Sequence, residues 1–408
     1  MNRIAVIGGG PSGMLAACTA AKNDCLVTIY ERNEKLGKKL YITGKGRCNV
    51  TNNATEEEFF ANIPRNHRFM YSSFYSFTNH DLIRLLNTLG LETKVERGGR
   101  VFPASDKSSD VLKVLTNYVR QCNAEVLLNT RVKSISKTGD NKFSVRTNNG
   151  DYTYDSVIIA TGGASYPTTG SDGDGYRFAS ELGIKTIDAK PALVPLVTIE
   201  EWPKELMGLT LKNVTLRAFD GNKKVFEDMG EVLFTHFGIS GPLVLTLSSI
   251  IAEHPENVKV FIDLKPALTR EELDRRVLRD FQTAKNKQMK NALFELMPSS
   301  LVQIILQLAQ IDPDLAVNSL TKQDRARLVE IIKAIPLVIK GTRPIEEAII
   351  TRGGIDTREI NPTTMESKKV SGLYFSGEVI DVDAFTGGFN LQIAFSTGYL
   401  AGRSASEK

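Results

Sequence analysis

The sequence predicts an α/β protein in which a domain built on a parallel sheet is split by an inserted domain, β-rich and then helical. Three observations predict it. The chain opens on a short apolar strand, a glycine-rich turn and a small-residue helix over residues 3–22. Glycine, 32 of the 408 residues, is then absent between Gly241 and Gly341. It returns at Gly353, Gly354, Gly372, Gly377, Gly387, Gly388, Gly398 and Gly402, in a segment that again reads strand then helix. A nucleotide-binding α/β domain needs glycine where backbone approaches phosphate, so the two glycine-rich ends mark its two halves.

The first element is the apolar strand Arg3–Ile7. Gly8-Gly9-Gly10-Pro11-Ser12-Gly13 follows and satisfies G-x-G-x-x-G; Met14–Lys22 reads as a helix and Leu26–Tyr30 as a second strand closed by Glu31. Gly8 permits the tight turn, Gly10 lets a pyrophosphate reach the backbone, and Gly13 lets helix and strand pack closely, with Pro11 and Ser12 completing the turn. The helix N-terminus presents unpaired N–H groups and a positive dipole end to the phosphates. Glu31 can accept hydrogen bonds from ribose hydroxyls, and Arg32 beside it joins the candidate set. Strand, glycines, helix, strand and acid together predict a Rossmann-like dinucleotide site, without separating NAD from FAD.

Later segments favour FAD. The strand Asp155–Ala160 runs into Thr161-Gly162, and Val132, on the strand Asn129–Ile135, is placed for backbone pairing with an adenine. Gly372–Ser376 reads as a strand ending in Gly377-Glu378, with Asp381 after it; Glu378 and Asp381 are placed to bind ribityl hydroxyls. Gly387-Gly388-Phe389-Asn390 then opens a helix to about Gly402. That helix start is expected to face the pyrimidine edge of a flavin and stabilise negative charge there. A simple NAD dehydrogenase needs no such returning segment.

The insert reads as the strands Ala192–Ile199, Leu209–Phe219, Glu231–Leu233 and Lys259–Leu264. Thr269 and Glu272 then form a capping box opening helical patterning to about Gln310, with Leu273, Val277, Leu278 and Phe281 at helical spacing. Pro191 and Pro195 mark the entry, and Lys340–Pro344 the exit. The predicted domains are 1–190, 191–343 and 344–408, the first and last forming one unit.

Composition limits the function. Apolar residues at 41% and charged residues at 24% describe a folded globular chain. No apolar run reaches the roughly 18 residues a membrane helix needs. A net charge of +4 is small for this length, and no nucleic-acid partner is expected. The run Lys285, Lys287, Lys290 reads as a solvated helix face. Cys18, Cys25, Cys48 and Cys122 include no C-x-x-C pair and no neighbouring His cluster, which argues against a disulfide framework, a disulfide reductase or a bound metal and for a reducing cytoplasm. Leu15-Ala16-Ala17-Cys18 superficially matches a lipoprotein signal, but the Gly8–Gly13 turn interrupts the apolar core such a signal requires.

Several longer motifs resemble the bacterial FAD-dependent flavoproteins that include the bile-acid dehydroxylation flavoprotein BaiN and an aminoacetone oxidase. They are Gly37-Lys38-Lys39-Leu40, Gly44–Asn52 (GKGRCNVTN), Gly99–Pro103 (GRVFP), Gly162–Pro167 (GGASYP), Phe234–Pro242 (FTHFGISGP) and the Gly377–Gly388 segment. The resemblance covers nearly the whole chain. It implies a glutathione-reductase-like FAD domain interrupted by an insert. It implies that Arg47, Cys48, Asn49 and Thr51 line the flavin site, as do Asn390 and Leu391; Lys39 is carried as a further cofactor candidate. After Leu182-Gly183 the family commonly has His where this chain has Ile184, so no role resting on that His carries over.

Cys48 reads as a small packing residue beside the cofactor, against a redox thiol or flavin attachment point. His236 is the one catalytic candidate, a titratable group that could serve as acid or base, weighed against a structural loop histidine. Tyr166 is a weaker candidate, and Asp172–Gly175 reads as a turn. The function expected is an FAD-dependent oxidoreductase that moves a hydride between flavin and a small organic substrate, with the insert on the substrate side. The absence of a second G-x-G-x-x-G weakens an NAD(P)H-reductase assignment but leaves room for transient NAD(P)H docking. The alternatives are a flavin-dependent RNA-modifying protein and a flavin redox sensor without turnover.

Overall fold

A computed structural model describes residues 1–407. The chain forms two compact units, Met1–Ala192 with Pro344–Lys408, and Leu193–Arg343. Pro191 and Ala192, expected to open the insert, complete the strand Thr186–Ala192 of the first unit. Leu193 then takes a left-handed conformation (φ 51°), so the single strand expected over Ala192–Ile199 is broken, and the next strand is Leu196–Thr198.

The first unit is organised on a five-stranded sheet. Its order is Leu373–Phe375, Ser156–Ile159, Arg3–Ile7, Leu26–Tyr30, Glu125–Leu127. All four pairings are parallel. The central strands are buried on both faces, which is why they read as unbroken apolar runs without alternation. The last strand of the chain thus lies in one sheet with the first, and that brings the C-terminal segment back to the glycine turn. The helices Pro11–Ala21 and Phe389–Ser406 pack through their small residues. A Cβ on Gly398 would lie 2.4 Å from the Ser12 carbonyl oxygen, and one on Gly402 2.3 Å from that of Ala16. Glycine is therefore needed on the closing helix for the approach itself.

Two three-stranded antiparallel sheets complete this unit. One is Val132–Lys137, Phe143–Thr147 and Asp151–Tyr154; the other is Thr51–Asn52, Arg100–Pro103 and Thr93–Val95. The strands Thr186–Ala192 and Ile350–Ile355, which leave and re-enter this unit, pair antiparallel.

The second unit is a closed six-stranded barrel with helices. Around it run Leu196–Thr198, Gly238–Ser240, Lys223–Thr235, Thr210–Asp220, Lys259–Asp263 and Ile335–Thr342. Thr269 and Glu272 form the capping box of the helix Arg270–Thr283, whose Leu273, Val277 and Phe281 are buried while Leu278 is exposed. The helical patterning beyond it resolves into Met289–Ala292 and Ser299–Leu308, and Lys322–Lys333 follows. Among the described residues no helix is long and apolar enough to cross a membrane, and no group of three His, Cys, Asp or Glu could hold a metal ion.

Candidate functional site

The glycine turn closes tightly on itself. A Cβ on Gly13 would lie 2.0 Å from the Gly8 carbonyl oxygen, and one on Gly8 2.5 Å from that of Ala160. Gly10 differs: a Cβ there would meet nothing within 4 Å, so open space lies above the first turn of the helix Pro11–Ala21. Ser12 Oγ is buried there without a hydrogen-bond partner. Glu31 is buried, and its carboxylate accepts from the Gly9 amide (2.9 Å), the Asn33 amide (2.8 Å) and Asn33 Nδ2 (2.8 Å). It holds the turn in shape, and Oε2, which accepts only the Gly9 amide, keeps a free lone pair for a hydroxyl donor, whereas Oε1 is filled by its two bonds from Asn33. Thr161 and Gly162 follow the adjacent strand, with Thr161 Cα 3.1 Å from a Cβ on Gly8.

The segment Thr43–Asn52 approaches from a different part of the chain. Lys45 (φ 56°) and Cys48 (φ 59°) are left-handed without being glycine, a strained conformation that collects at functional sites. Cys48 is fully buried, and burial pushes its thiol up to about 12, so it stays protonated at neutral pH. Asn49 Oδ1 is buried without a partner. The Thr51 hydroxyl donates to Gln392 Oε1 at 2.7 Å, and the Thr51 carbonyl oxygen lies 2.3 Å from where a Cβ on Gly388 would be. Gly388 (φ 99°) caps the closing helix, so the loop and the helix start meet through a position only glycine fills.

The returning segment completes the enclosure. A Cβ on Gly377 would lie 2.9 Å from Ser12 Cβ. Asp381 Oδ2 accepts from Arg65 Nη2 at 2.9 Å, and Asn66 Nδ2 donates to the Asp381 carbonyl at 2.7 Å, but Asp381 Oδ1 is buried and unpartnered. Ser376 Oγ is also buried without a partner. Native interiors leave few such atoms unpaired. Here Ser12 and Ser376 supply two beside the open glycine turn, and Asn49 and Asp381 supply two more on the segments 43–52 and 377–391. The pattern fits a polar, phosphate-bearing dinucleotide.

Other predicted residues are engaged with protein. Arg32 pairs with Asp172, and Arg47 with Glu96 and with Asp106 (Nε to Oδ1, 2.9 Å) while stacking on Phe102. Lys39 Nζ contacts both Glu378 oxygens at 2.9 and 2.7 Å and Ser165 Oγ at 2.7 Å. Glu378, expected at ribityl hydroxyls, also accepts from the Thr351 amide at 2.9 Å. Asn390, expected to face the flavin, holds its own loop, accepting from the Ala384 amide (2.9 Å) and donating to the Ala384 carbonyl (2.7 Å). Leu391 is half-buried behind it, and Val132 is buried opposite Thr147 in the antiparallel sheet.

His236 belongs to the second unit. It is exposed on the turn between Lys223–Thr235 and Gly238–Ser240, its ring 4.8 Å from that of Phe237. With Val197, Ile199, Lys204 and Lys340 it lines an open cleft of about 510 Å³. The sequence did not point to Gln392, Arg65 or Thr351. Gln392 is fully buried, with Nε2 donating to the Phe77 carbonyl at 3.1 Å and to Ser396 Oγ at 3.0 Å. An amide in an otherwise apolar stretch of the closing helix was the only available signal.

The HI0933-like protein Rossmann domain family matches residues 2–404. The chain is 33% identical over its full length to all of a 3-dehydro-bile acid delta(4,6)-reductase of Clostridium scindens. It is 32% identical to a ribosomal RNA dihydrouridine synthase of Haemophilus influenzae, over 99% of this chain and 98% of that one. Among solved structures, 3-ketosteroid delta1-dehydrogenase from Sterolibacterium denitrificans superposes over all of both chains with a TM-score of 0.53 at 13% identity, a likeness of fold alone. The chain belongs to the HI0933-like Rossmann family and is a flavoprotein oxidoreductase.

Proposed function

We propose that this chain binds FAD in the enclosure around Gly10 and reduces a carbon–carbon double bond conjugated to a carbonyl in a small organic substrate. The observation that carries the cofactor assignment is the pair of unpartnered buried hydroxyls, Ser12 Oγ and Ser376 Oγ, beside a glycine turn with open space above it, with the unpartnered Asn49 Oδ1 and Asp381 Oδ1 on the segments 44–52 and 377–391. In this assignment the amides at the start of the helix Pro11–Ala21 meet the pyrophosphate. Glu31 accepts from the adenosine ribose, and Asp381 Oδ1 from a ribityl hydroxyl. Asn49 and the glycine-capped start of the closing helix face the isoalloxazine. FAD, when bound, supplies the hydride. The protein orients it and, through segments 44–52 and 377–391, excludes water from its face.

The substrate class follows from what the two curated relatives have in common. A delta(4,6)-reductase of a 3-dehydro-bile acid and a dihydrouridine synthase both, by name, saturate ring double bonds conjugated to a carbonyl. A small molecule is favoured over RNA because the second unit, residues 193–343, holds 20 Lys and Arg against 19 Asp and Glu. An RNA-binding surface ordinarily concentrates basic charge.

The test is anaerobic. The protein is reduced with NADH or NADPH, or by light if neither nucleotide works, and then mixed with a 4-en-3-one steroid acid or with unmodified ribosomal RNA. Rapid reoxidation by the enone with a saturated product supports the proposal. Reoxidation by the RNA alone, with dihydrouridine formed, would replace it with the RNA-modifying alternative.

A further inference from the structure

Arg65 and Asp381 form an ion pair that leaves half of each group unused. Arg65 follows the helix Glu56–Ala61, and Asp381 lies on the returning segment, 316 positions further along. Nη2 donates to Oδ2 at 2.9 Å, yet Nη1 and Oδ1 are both buried without a hydrogen-bond partner. Guanidinium and carboxylate frequently close such a pair with two parallel bonds. Here the second bond is missing although Asp381 is only 4% exposed.

Neighbouring bonds hold the pair in this open form. Asn66, left-handed at φ 55°, donates from Nδ2 to the Asp381 carbonyl at 2.7 Å and to Oδ2 at 3.2 Å. The Phe385 amide donates to the Asn62 carbonyl at 2.9 Å, and the Asp381 amide to the Ile355 carbonyl at 3.0 Å. Segment 62–66 therefore fixes Oδ2 and the backbone beside it, while Oδ1 meets no protein donor. Glu378, the acid three residues earlier, is in the opposite condition. Lys39, Ser165 and the Thr351 amide already occupy its carboxylate.

We propose that Arg65 and Asp381 together receive the hydroxyls of the FAD ribityl chain, and that Arg65 makes the site select a polyol. This rests on the FAD assignment above and adds a cation to it. The chemistry of the pair selects the ligand. A guanidinium nitrogen only donates, and a carboxylate oxygen only accepts. A phosphate would satisfy Nη1 and be repelled by Asp381; an ammonium would do the reverse. A hydroxyl does both, accepting from Nη1 and donating to Oδ1. A chain with hydroxyls on successive carbons can engage the two atoms through one hydroxyl or through two neighbours. Binding also ties segment 62–66 more firmly to the returning segment, because the ligand bridges a residue of each.

The full chain, freed of nucleotide, is titrated with FAD and with its 2′-, 3′- and 4′-deoxy forms, following flavin fluorescence. At least one deoxy form should bind about tenfold more weakly than FAD, the scale of a lost hydrogen bond to a charged group. Arg65→Lys keeps a cation beside Oδ2 but has no fork. It should weaken FAD by a similar factor, and the sensitive deoxy form should then trail FAD by less than about threefold, the non-additivity of groups in direct contact. If the variant folds poorly, the unmodified chain supplies a second reading. Hydrogen exchange at the Asp381 and Phe385 amides should slow on loading with FAD and slow less with the sensitive deoxy form. Equal affinity and equal protection with FAD and all three deoxy forms would mean that a trapped water completes the pair. Losses that multiply in Arg65→Lys would mean that the chain is held elsewhere. Either result overturns the proposal, whereas failure to take up FAD at all removes the cofactor assignment beneath it.

Discussion

Each unit of the protein holds a lysine–carboxylate pair away from bulk water, and the two are built differently. In the second unit Lys333 Nζ lies 2.7 Å from Asp263, with both side chains only 9% exposed, and also donates to the carbonyls of Lys265 (2.9 Å) and Leu268 (2.6 Å). Asp263 accepts from the Lys265 amide at 2.9 Å as well. Every partner is protein, and the pair ties the barrel strand Lys259–Asp263 to the helix Lys322–Lys333. In the first unit the Lys39–Glu378 pair is 20% and 22% exposed, and it sits where chain segments converge on a glycine wall. A Cβ on Gly163 would lie 2.4 Å from Thr351 Oγ1 and 3.1 Å from Glu378 Cδ. One pair is a closed structural joint. The other borders a site that leaves neighbouring polar atoms unpaired.

The largest expected effect tests the closed joint. Lys333→Met removes the cation and leaves Asp263 buried without its counter-charge, a change that costs about 3–5 kcal/mol in buried pairs. Urea unfolding should show this loss in the transition of the second unit, with flavin absorbance retained at denaturant concentrations below it. Loss of less than about 1 kcal/mol would mean that water reaches the pair and that the contrast between the two joints is false.

Next comes the packing beneath the glycine turn. Gly398→Leu puts a side chain where even a Cβ would lie 2.4 Å from the Ser12 carbonyl. The helices must separate, at a cost of about 1–3 kcal/mol or more, and the Ser12 amide moves with them. FAD affinity should fall together with stability, read by fluorescence titration and thermal melting. Lys39→Met should have a smaller effect on stability, about 1–2 kcal/mol, because Glu378 keeps the Thr351 amide and some access to water. If Lys39→Met destabilises as much as Lys333→Met, the first pair too is a closed joint.

Much of the first unit was legible because its signals are local. The Gly8–Gly13 turn, the strand before it and the acid after it lie within about thirty residues, and each answers a backbone or phosphate requirement. The capping box of Thr269 and Glu272 is equally local. Contacts between distant residues were not legible. Lys39 meets Glu378 across 339 positions, and Thr51 meets Gln392 across 341. A single polar residue carries no period that names its partner. The closed barrel was read only as separate strands, since closure depends on pairing Leu196–Thr198 with both Gly238–Ser240 and Ile335–Thr342. Asn390, which the resemblance places at the flavin, also bonds the backbone of the loop next to it, a local contact that its position in the motif does not announce.

The smallest expected effect concerns that loop and asks whether the polar groups of the returning segment are arranged for the cofactor or for the chain. The Asn390 amide bonds both backbone groups of Ala384, so Asn390→Leu leaves an N–H and a carbonyl of a buried residue without their partners. Two such losses near the site edge, relieved in part by water, should make local opening easier by about 1–2 kcal/mol. The global transition should barely move, since the helix Phe389–Ser406 keeps its core contacts through Phe389, Ile393 and Phe395. Hydrogen exchange at the Ala384 amide should therefore quicken about tenfold or more, while exchange in the central strand Arg3–Ile7 stays at the parent rate. A comparison with and without bound FAD separates the two roles. If Asn390 only braces the loop, the faster exchange appears in both states. If it faces the cofactor, the effect appears only in the loaded protein, and unchanged exchange at Ala384 without FAD would make Asn390 a cofactor contact.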